Sequence, residues 1–463
     1  MGSCIAWRSA AGGPRWNPVG EWMHYFGGFG LRKARAVSVF GTAGCVLLLA
    51  SEPALASGFY LQEQSVRGWG RANSGEVADQ GPASLWWNPA ATGWDERSGV
   101  SFGATGILPS GRVEDLGTQI DRPGVAPVPV GGPGLLSDPV QKGVLPSSAA
   151  SLRLSEKISL GLAISSPFSF TTDYDPNGWQ RYSAIRTRLV TLDVQPSIAF
   201  APSRQVSIGA ALNVEYSDAF LSNALPNLAP GSPDGRLRLT GNGLHFGWSA
   251  GAQFRPTERV TLGLAYKSSI EHKLDGSVSI TGLAGPLAAR NLQSDIVARF
   301  STPWQLIMGG RFGVSETLTI NAQAVHFGWS KFKRIDLEAP LNSFIAQDYK
   351  NSWSFALGAD AVVSDRLTLR GGVQLDGTPT RDSRRDPRVP DSDRINYNVG
   401  ASYKMSGHMT LDAAASYTDF QTTPITRDER FYAGTAAQVD ILTEGRARSQ
   451  RALVLALGGR MGF

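Results

Sequence analysis

The chain of 463 residues has little cysteine and no apolar run long enough to cross a bilayer as a helix. Its two cysteines, Cys4 and Cys45, both lie near the start, so the remainder can hold neither disulfides nor thiolate metal sites. Stretches with helical periodicity are nearly absent. The formal net charge is only +5, and it falls to about +2 without the first 56 residues. So small an excess gives no support to nucleic-acid binding.

The start of the chain is typical of an export leader. An apolar stretch at 36–50 follows basic residues at 32–35 and precedes a small-residue cleavage site. We therefore predict a signal peptide over residues 1–56, with Met23 as an alternative start. An uncleaved anchor and a lipoprotein modified at Cys45 are the alternatives, although the apolar stretch continues past that cysteine.

From about residue 98 onward, apolar side chains alternate with small or polar ones. The pattern is clear at 158–164, 206–210 and 260–266. A period of two predicts β-strands with two unlike faces. The sequence therefore predicts an all-β protein, either a membrane barrel or a soluble β-sandwich.

A short repeat separates successive pairs of alternating stretches. Six segments have the pattern Ser/Thr-x-x-aliphatic-Ser/Thr, with methionine as the aliphatic residue once, and each is short enough for a tight hairpin. They begin at Ser155, Ser203, Thr257, Ser315, Ser364 and Ser406. Longer segments rich in glycine, proline and aspartate lie between them, and tight turns on one side with long loops on the other are typical of an outer-membrane barrel.

The repeat also gives the number of strands. Six tight turns join twelve strands, and one further strand at each end, at about 98–106 and 449–463, makes fourteen. We predict a transmembrane antiparallel β-barrel of fourteen strands, an even number as bacterial barrels require. The last strand ends at Phe463, which resembles the terminal signal recognised by the barrel-assembly machinery. A sandwich accounts less well for the leader, the missing cysteines and this ending.

The segment before the barrel, residues 57–95, does not alternate. It contains Gly58-Phe59-x-Leu-x-Glu, then Gly-x-Gly-Arg-Ala-x-Ser-Gly-Glu, and closes with Asn88-Pro89-Ala90. This order resembles the N-terminal hatch of the long-chain fatty acid transporters of the FadL type and their aromatic-hydrocarbon uptake relatives. Two stretches at 181–200 and 369–394 are also similar to that family. The resemblance implies a fourteen-stranded barrel, residues 96–463, with the hatch as a plug in its lumen.

The resemblance also implies a lateral route. Pro167, followed by Phe168, falls in the third strand, where proline cannot donate to the ladder. In the family a kink in this strand opens a hole in the wall, and we expect Pro167 to help open one here. The alternative is that the strand simply ends at Ser166. We expect Gly58, Phe59 and the Asn88-Pro89-Ala90 turn to act as the gate, the alternative for that turn being an ordinary lead into the first strand.

Two further groups are candidate ligand contacts. Apolar residues occupy regions expected to be loops, and they could form a capture groove for a hydrophobic ligand or pack on each other as a lid. They are Phe220, Leu221, Leu225, Leu228, Leu283 and Leu287. Alternation points Arg370 and Arg394 into the lumen, where either could contact a carboxylate head group or form lumen salt bridges.

We therefore predict passive uptake of long-chain fatty acids or other hydrophobic compounds across the outer membrane of a Gram-negative cell. No catalytic residue, metal or cofactor is predicted, because the four histidines after the leader have no triad-like or metal-like spacing. Expected partners are the ligand, outer-membrane lipid with lipopolysaccharide, and the assembly machinery, and we expect a monomer. The alternatives are a polar porin, which would conduct ions steadily, and an inert structural or adhesion barrel.

Overall fold

The computed structural model describes residues 58–463. The predicted leader, residues 1–56, and Ser57 lie outside the described residues. Within residues 58–463, no helix combines the length and the apolar character needed to cross a bilayer.

Within the part of the chain that the structure describes, one short α-helix precedes the strands, which make up nearly all of the regular structure. In chain order the elements are α1 (Val66–Trp69), β1 (Gly99–Asp115), β2 (Gln119–Asp121), β3 (Val128–Pro129), β4 (Leu135–Ser137), β5 (Gly143–Arg153), β6 (Ile158–Ser165), β7 (Phe170–Asp173), β8 (Arg186–Phe200), β9 (Val206–Leu225), β10 (Gly235–Thr257), β11 (Val260–Lys267), β12 (Glu271–Thr281), β13 (Leu292–Ser301), β14 (Gln305–Gly313), β15 (Leu318–Phe327), β16 (Arg334–Leu337), β17 (Ser343–Ala346), β18 (Ser352–Val362), β19 (Leu367–Asp376), β20 (Arg394–Lys404), β21 (Met409–Phe420), β22 (Thr423–Phe431) and β23 (Val439–Gly462). Short 3-10 helices cover Glu76–Ala78, Pro82–Ser84, Pro89–Thr92, Gly285–Arg290, Trp329–Lys331 and Asp382–Arg384.

The strands close into an antiparallel barrel of fourteen. The first strand, β1, pairs with β5 on one side and with the last strand, β23, on the other, from Gly99↔Gly462 onward. Four of the fourteen are each made of two consecutive pieces: β6 with β7, β11 with β12, β13 with β14, and β21 with β22. The strand number predicted from the turns is therefore confirmed. Because the first and last strands pair, the sheet presents no terminal edge strand to lipid.

The repeated serine has a local structural role at five of the six tight turns. The hydroxyl oxygen of Ser203, for example, accepts hydrogen bonds from the backbone N–H groups two and three residues later, at 3.2 Å each. The same pattern occurs at Ser155, Ser315, Ser364 and Ser406. Because a serine side chain can satisfy turn amides in this way, the repeat marks where each hairpin reverses.

The two faces of each strand differ as the alternation predicts. On the last strand Leu453, Leu455 and Leu457 are exposed outward, Leu457 at 71%. Asn396 and Asn398 on β20 instead face the lumen and are buried. An apolar outer surface around a polar interior suits a barrel whose outer surface contacts lipid.

The end strands extend beyond their predicted bounds. β1 runs to Asp115 because it continues to pair with β23 beyond a register shift near Ser110. β23 begins at Val439, where it pairs with β22. The extra length lies on the loop side. The backbone N–H of Phe463 donates to the carbonyl of Ser98 at 2.9 Å, which ties the chain end to the first strand.

Candidate functional site

The N-terminal segment, residues 58–95, packs against the lumen-facing side of the wall, and most of it is buried. Its hydrogen bonds reach separate strands of the barrel. The Tyr60 hydroxyl donates to Gln305 Oε1 on β14 at 3.0 Å. Asn398 Nδ2 on β20 donates to the carbonyl oxygen of Trp69 at 2.7 Å. The polar lining of the lumen thus provides partners for this segment.

Lumen-facing glycines allow the backbone of the segment to approach the wall closely. A Cβ placed on Gly372 would lie 2.4 Å from the carbonyl oxygen of Arg71, and one on Gly263 would lie 2.3 Å from that of Val77. Real Cβ atoms do not approach backbone so closely. A glycine within a strand commonly marks such a close approach of a second backbone.

A buried ionic cluster anchors the middle of the segment. The Arg71 guanidinium lies 2.5 Å from both Glu76 and Asp79, and 3.4 Å from Asp360 on β18. The guanidinium of Arg311 on β14 forms ion pairs with the carboxylates of both Asp79 and Asp360, at 3.2 Å each. Burial alone would raise the pKa of Asp79, but the surrounding guanidinium groups, that of Arg311 first, hold it well below its usual range. Asp79 therefore stays charged, and its ion pairs with Arg71 and Arg311 connect the segment to the wall.

The wall is interrupted next to this segment. The ladder between β5 and β6 ends at Ser148↔Ile164, and pairing resumes at the single bridge Val140↔Thr172. Pro167 lies in the interruption, where it has no N–H to donate. The sequence left open whether the strand simply ends here. In the structure β7 continues beyond the interruption and pairs with β8, so a gap opens within the third strand.

The start of the N-terminal segment contacts this gap directly. The backbone N–H of Leu61 donates to the carbonyl oxygen of Pro167 at 2.8 Å. Tyr60 forms an isolated antiparallel bridge with Phe168. Gln64 Nε2 donates a hydrogen bond to the carbonyl oxygen of Ser166 at 3.1 Å, and Gln64 Oε1 accepts one from the Ser166 N–H at 3.3 Å. The segment thus replaces part of the missing ladder.

Phe59 lies within a cluster of aromatic rings behind the gap. Its ring centroid is 5.0 Å from that of Trp329, 5.2 Å from Phe332, 5.7 Å from Phe170 and 5.8 Å from Phe168. Most of these pairs meet edge to face, an arrangement aromatic quadrupoles favour. We call the space around Phe59 the aromatic pocket. The ring of Phe59 fills it in this structure.

The Asn88-Pro89-Ala90 turn lies elsewhere on the wall. Asn88 Oδ1 accepts a hydrogen bond from the Ala90 backbone at 2.9 Å and caps a 3-10 helix that begins at Pro89. Gly209 on β9 and Gly251 on β10 face the turn, and a Cβ on Gly209 would lie 2.4 Å from Pro89. The structure places this turn against β9 and β10, with further contacts to β8 and β6, whereas residues 60–64 contact the gap itself. A gate role for the turn stays a prediction.

Comparison with known proteins identifies the family. The sequence model described as "Outer membrane protein transport protein (OMPP1/FadL/TodX)" matches residues 47–461. The chain belongs to this family.

Curated relatives cover most of the chain at low identity. Outer membrane protein P1 of Haemophilus influenzae is 24% identical over 406 residues, covering 80% of this chain and 88% of the relative. A long-chain fatty acid transport protein of Escherichia coli is 23% identical over 439 residues, covering 86% and 94%. Membership places this protein in the outer membrane as a transport protein.

Solved structures of family members share the fold. A FadL homologue of Pseudomonas aeruginosa has a TM-score of 0.76 at 24% identity, with 88% of this chain and all of that chain covered. The toluene transporter TbuX of Ralstonia pickettii has a TM-score of 0.61 at 17% identity, with 86% and 98% covered.

The predicted loop residues are mostly packed together. Phe220, Leu221 and Leu225 lie within β9 and not in a loop, because β9 and β10 pair as far as Leu225. The other residues are in loops or a 3-10 helix. Leu225, Leu283 and Leu287 are buried in one cluster, and Leu228 packs against it. This packing fits the lid that the sequence left as an alternative to the groove.

Both predicted head-group arginines have carboxylate partners in the lumen. Arg370 Nε lies 2.6 Å from Asp360, and Arg394 lies 2.5 Å from Asp376. A ligand carboxylate would have to compete with these acids. Contact with a head group therefore stays a prediction for both.

Sequence analysis did not anticipate a second group of buried polar residues. Ser217 Oγ lies 3.0 Å from His272 Nδ1, and Glu215 lies 3.4 Å from His272 Nε2. Alternation does point Glu215 and Ser217 inward, but their meeting with His272 depends on register across strands. All three are buried. Among residues 58–463 no group of three or more histidine, cysteine or carboxylate side chains is arranged to hold a metal ion.

Proposed function

We propose that this protein carries hydrophobic compounds, long-chain fatty acids or aromatic hydrocarbons, passively across the outer membrane and releases them sideways through the gap at Pro167. Relatives named as long-chain fatty acid and toluene transporters support the ligand class. One observation carries the proposal. The interruption of the wall, the start of the N-terminal segment and the aromatic pocket all meet at the same place.

The ring of Phe59 acts as an internal substitute for ligand. It is buried among Phe168, Trp329 and other rings, as a hydrophobic ligand would be. Exchanging one buried apolar group for another costs little, because about the same apolar area stays out of water. A ligand entering the pocket would therefore compete with Phe59 without any energy source.

Displacing Phe59 would loosen the seal at the gap. Tyr60 and Leu61, which contact Phe168 and Pro167, follow Phe59 directly in the chain. Further along, the ionic cluster around Arg71 fixes the segment to the wall. The proposed moving part is thus residues 58–64, while the residues from Arg71 onward stay in place.

Removing the proline tests the lateral route. We expect Pro167→Val to let the ladder of the third strand extend and to reduce uptake of radiolabelled oleate or toluene into cells that lack other routes. Pro196→Val is the matched control, because Pro196 lies in the next strand and pairs with Leu162, away from the interruption between β5 and β6. Normal uptake by a folded Pro167→Val barrel would contradict the proposal.

A polar porin is the competing function, favoured by the polar lumen lining that includes Gln374 and Asn396. The buried N-terminal segment supports the hydrophobic route instead, because it occupies space an aqueous channel needs. Planar bilayer recordings separate the two. We expect little steady conductance, and large steady conductance would favour the porin. The monomeric state and recognition of Phe463 by the assembly machinery stay predictions.

A further inference from the structure

A ribbon of aromatic rings runs across the outer face of five neighbouring strands. Successive centroids are separated by 4.4 to 6.2 Å. The ribbon consists of Trp248, Tyr266, Trp304, His326, Trp353 and Phe355. Trp248 and Phe355 are more than half exposed, while lumen-facing neighbours such as Val325 are buried. The rings therefore face the surroundings of the barrel.

The ribbon lies close to the loop side of the wall. His326 is one residue from the loop-side end of β15, and Tyr266 is one residue from the end of β11, beyond which the same barrel strand continues as β12. Trp353 is the second residue of β18. The ends of β15 and β18 are opposite the tight turns, and ring contacts through Trp304 connect Tyr266 to them. Aromatic side chains at this level suit the boundary between acyl chains and head groups.

A basic rim borders the ribbon on the loop side. Residues 328–333, 347–351 and 377–385 together carry six Lys or Arg and two Asp. Backbone hydrogen bonds hold the three stretches together, including one of 2.9 Å from the Lys350 N–H to the Pro379 carbonyl oxygen. Trp304 packs directly against Gly328, so the ribbon and the rim are continuous.

The cations of the rim point outward. Lys331, Lys333, Lys350, Arg381 and Arg384 are all exposed. Neighbouring side chains on the same stretches, among them Phe332 and Tyr349, are instead buried against the rings of the aromatic pocket. The rim thus presents a surplus of positive charge to the outer membrane surface, immediately next to rings that can cover acyl chains.

We propose that the ribbon and rim form a docking surface for the phosphorylated lipid A part of lipopolysaccharide. Its several acyl chains match the ring surface, and its phosphates match the cations. The loop side of an outer-membrane barrel faces the leaflet that contains this lipid, which favours it over an anionic phospholipid. Recognition combines apolar contact and charge, as in other basic sites that bind lipid head groups.

Native mass spectrometry of the full mature protein in detergent tests the proposal with three added probes: bisphosphorylated lipid A, dephosphorylated lipid A and phosphatidylglycerol. We expect retention of bisphosphorylated lipid A alone. The triple variant K331Q/K350Q/R381Q should bind it on the order of a hundredfold more weakly, since each cation near an anionic lipid contributes measurably. The matched control K157Q/R204Q/R366Q removes three exposed cations at tight turns and should bind normally.

Three outcomes would overturn the proposal: equal binding by the triple variant and the control, equal binding of dephosphorylated lipid A, or equal binding of phosphatidylglycerol. The probe comparison uses the unmodified protein, so it stands even if a variant folds poorly. The measurement involves no transport, so it is independent of the proposed function.

Discussion

The close contact at Gly372 predicts that a single methyl group will push the N-terminal segment away from the wall. In Gly372→Ala the new Cβ would lie 2.4 Å from the carbonyl oxygen of Arg71 and 2.5 Å from its carbonyl carbon. Both are backbone atoms, which cannot move aside as a flexible side chain can. The neighbouring Gly371 provides the control, because a Cβ there has its nearest neighbour at 3.8 Å.

The size of the effect follows from the cost of overpacking. Forcing an extra methylene-sized group into a packed interior costs about 1–3 kcal/mol. If that cost falls on the docked state of the segment, its opening becomes roughly 5 to 150 times more frequent. Both variants change glycine to alanine in the same strand, so differences in strand propensity largely cancel between them.

Hydrogen exchange followed by mass spectrometry measures this opening in detergent micelles. We expect peptides covering residues 59–80 to exchange faster by that factor in Gly372→Ala, while barrel peptides and the Gly371→Ala protein remain as in the unmodified protein. Equal exchange in the two alanine variants would refute the close packing of the segment against β19.

Three further predictions concern the same segment. If the Phe59 ring competes with ligand, Phe59→Ala should empty the aromatic pocket and raise the affinity for toluene about tenfold, as measured by calorimetry. The control Phe344→Ala removes an exposed ring and should leave the affinity unchanged. The backbone N–H of Gly58 donates to Asp391 Oδ2 at 2.9 Å, where the segment meets the wall. Burial raises the pKa of Asp391 to about 6, above its ordinary value of about 3.9, so its contribution to docking is complete below about pH 4 and is lost as the pH rises through 6. Exchange at residues 58–61, corrected for intrinsic rates, should therefore quicken between pH 5 and 7, and Asp391→Asn should flatten that change. Arg71→Met removes the cation that lies 2.5 Å from Glu76, while Asp79 and Asp360 keep Arg311, so it should weaken docking by about 1–3 kcal/mol and give steady conductance in planar bilayers. Arg259→Gln, which breaks an exposed pair, should leave conductance low.

The barrel itself was predictable because its signals are local. The alternation of strands such as β6 needs only neighbouring residues, and the serine of each turn, such as Ser203, bonds amides two and three positions away. Counting such turns gave fourteen strands. The loop-side ends of β1 and β23 were missed because these strands continue to pair where the sequence pattern is weak.

The interior was less predictable because its contacts join distant parts of the chain. Arg71 and Asp360 are 289 positions apart in the sequence, and the residues around each of them do not predict that the two side chains meet. Likewise the sequence marked Asn88-Pro89-Ala90 as a rigid turn, but only the fold shows that it faces β9 and β10. Sequence analysis identified Pro167 because a proline within a strand is a local anomaly. It did not identify Leu61, whose backbone N–H donates to Pro167, because nothing in the sequence around Leu61 indicates that contact.

A disulfide between Tyr60→Cys and Phe168→Cys tests the central claim most directly. These residues form an antiparallel bridge, whose Cα spacing of about 4.5–5.5 Å suits a disulfide, and both native cysteines precede the described residues. The control pair is Ala401→Cys with Ala413→Cys, opposite each other in the intact ladder of β20 and β21. If residues 58–64 must leave the gap for ligand to pass, uptake should stop when the first pair is oxidised and return on reduction, while the control transports in both states. Uptake by the oxidised Tyr60–Phe168 pair equal to that of its reduced form would contradict the account.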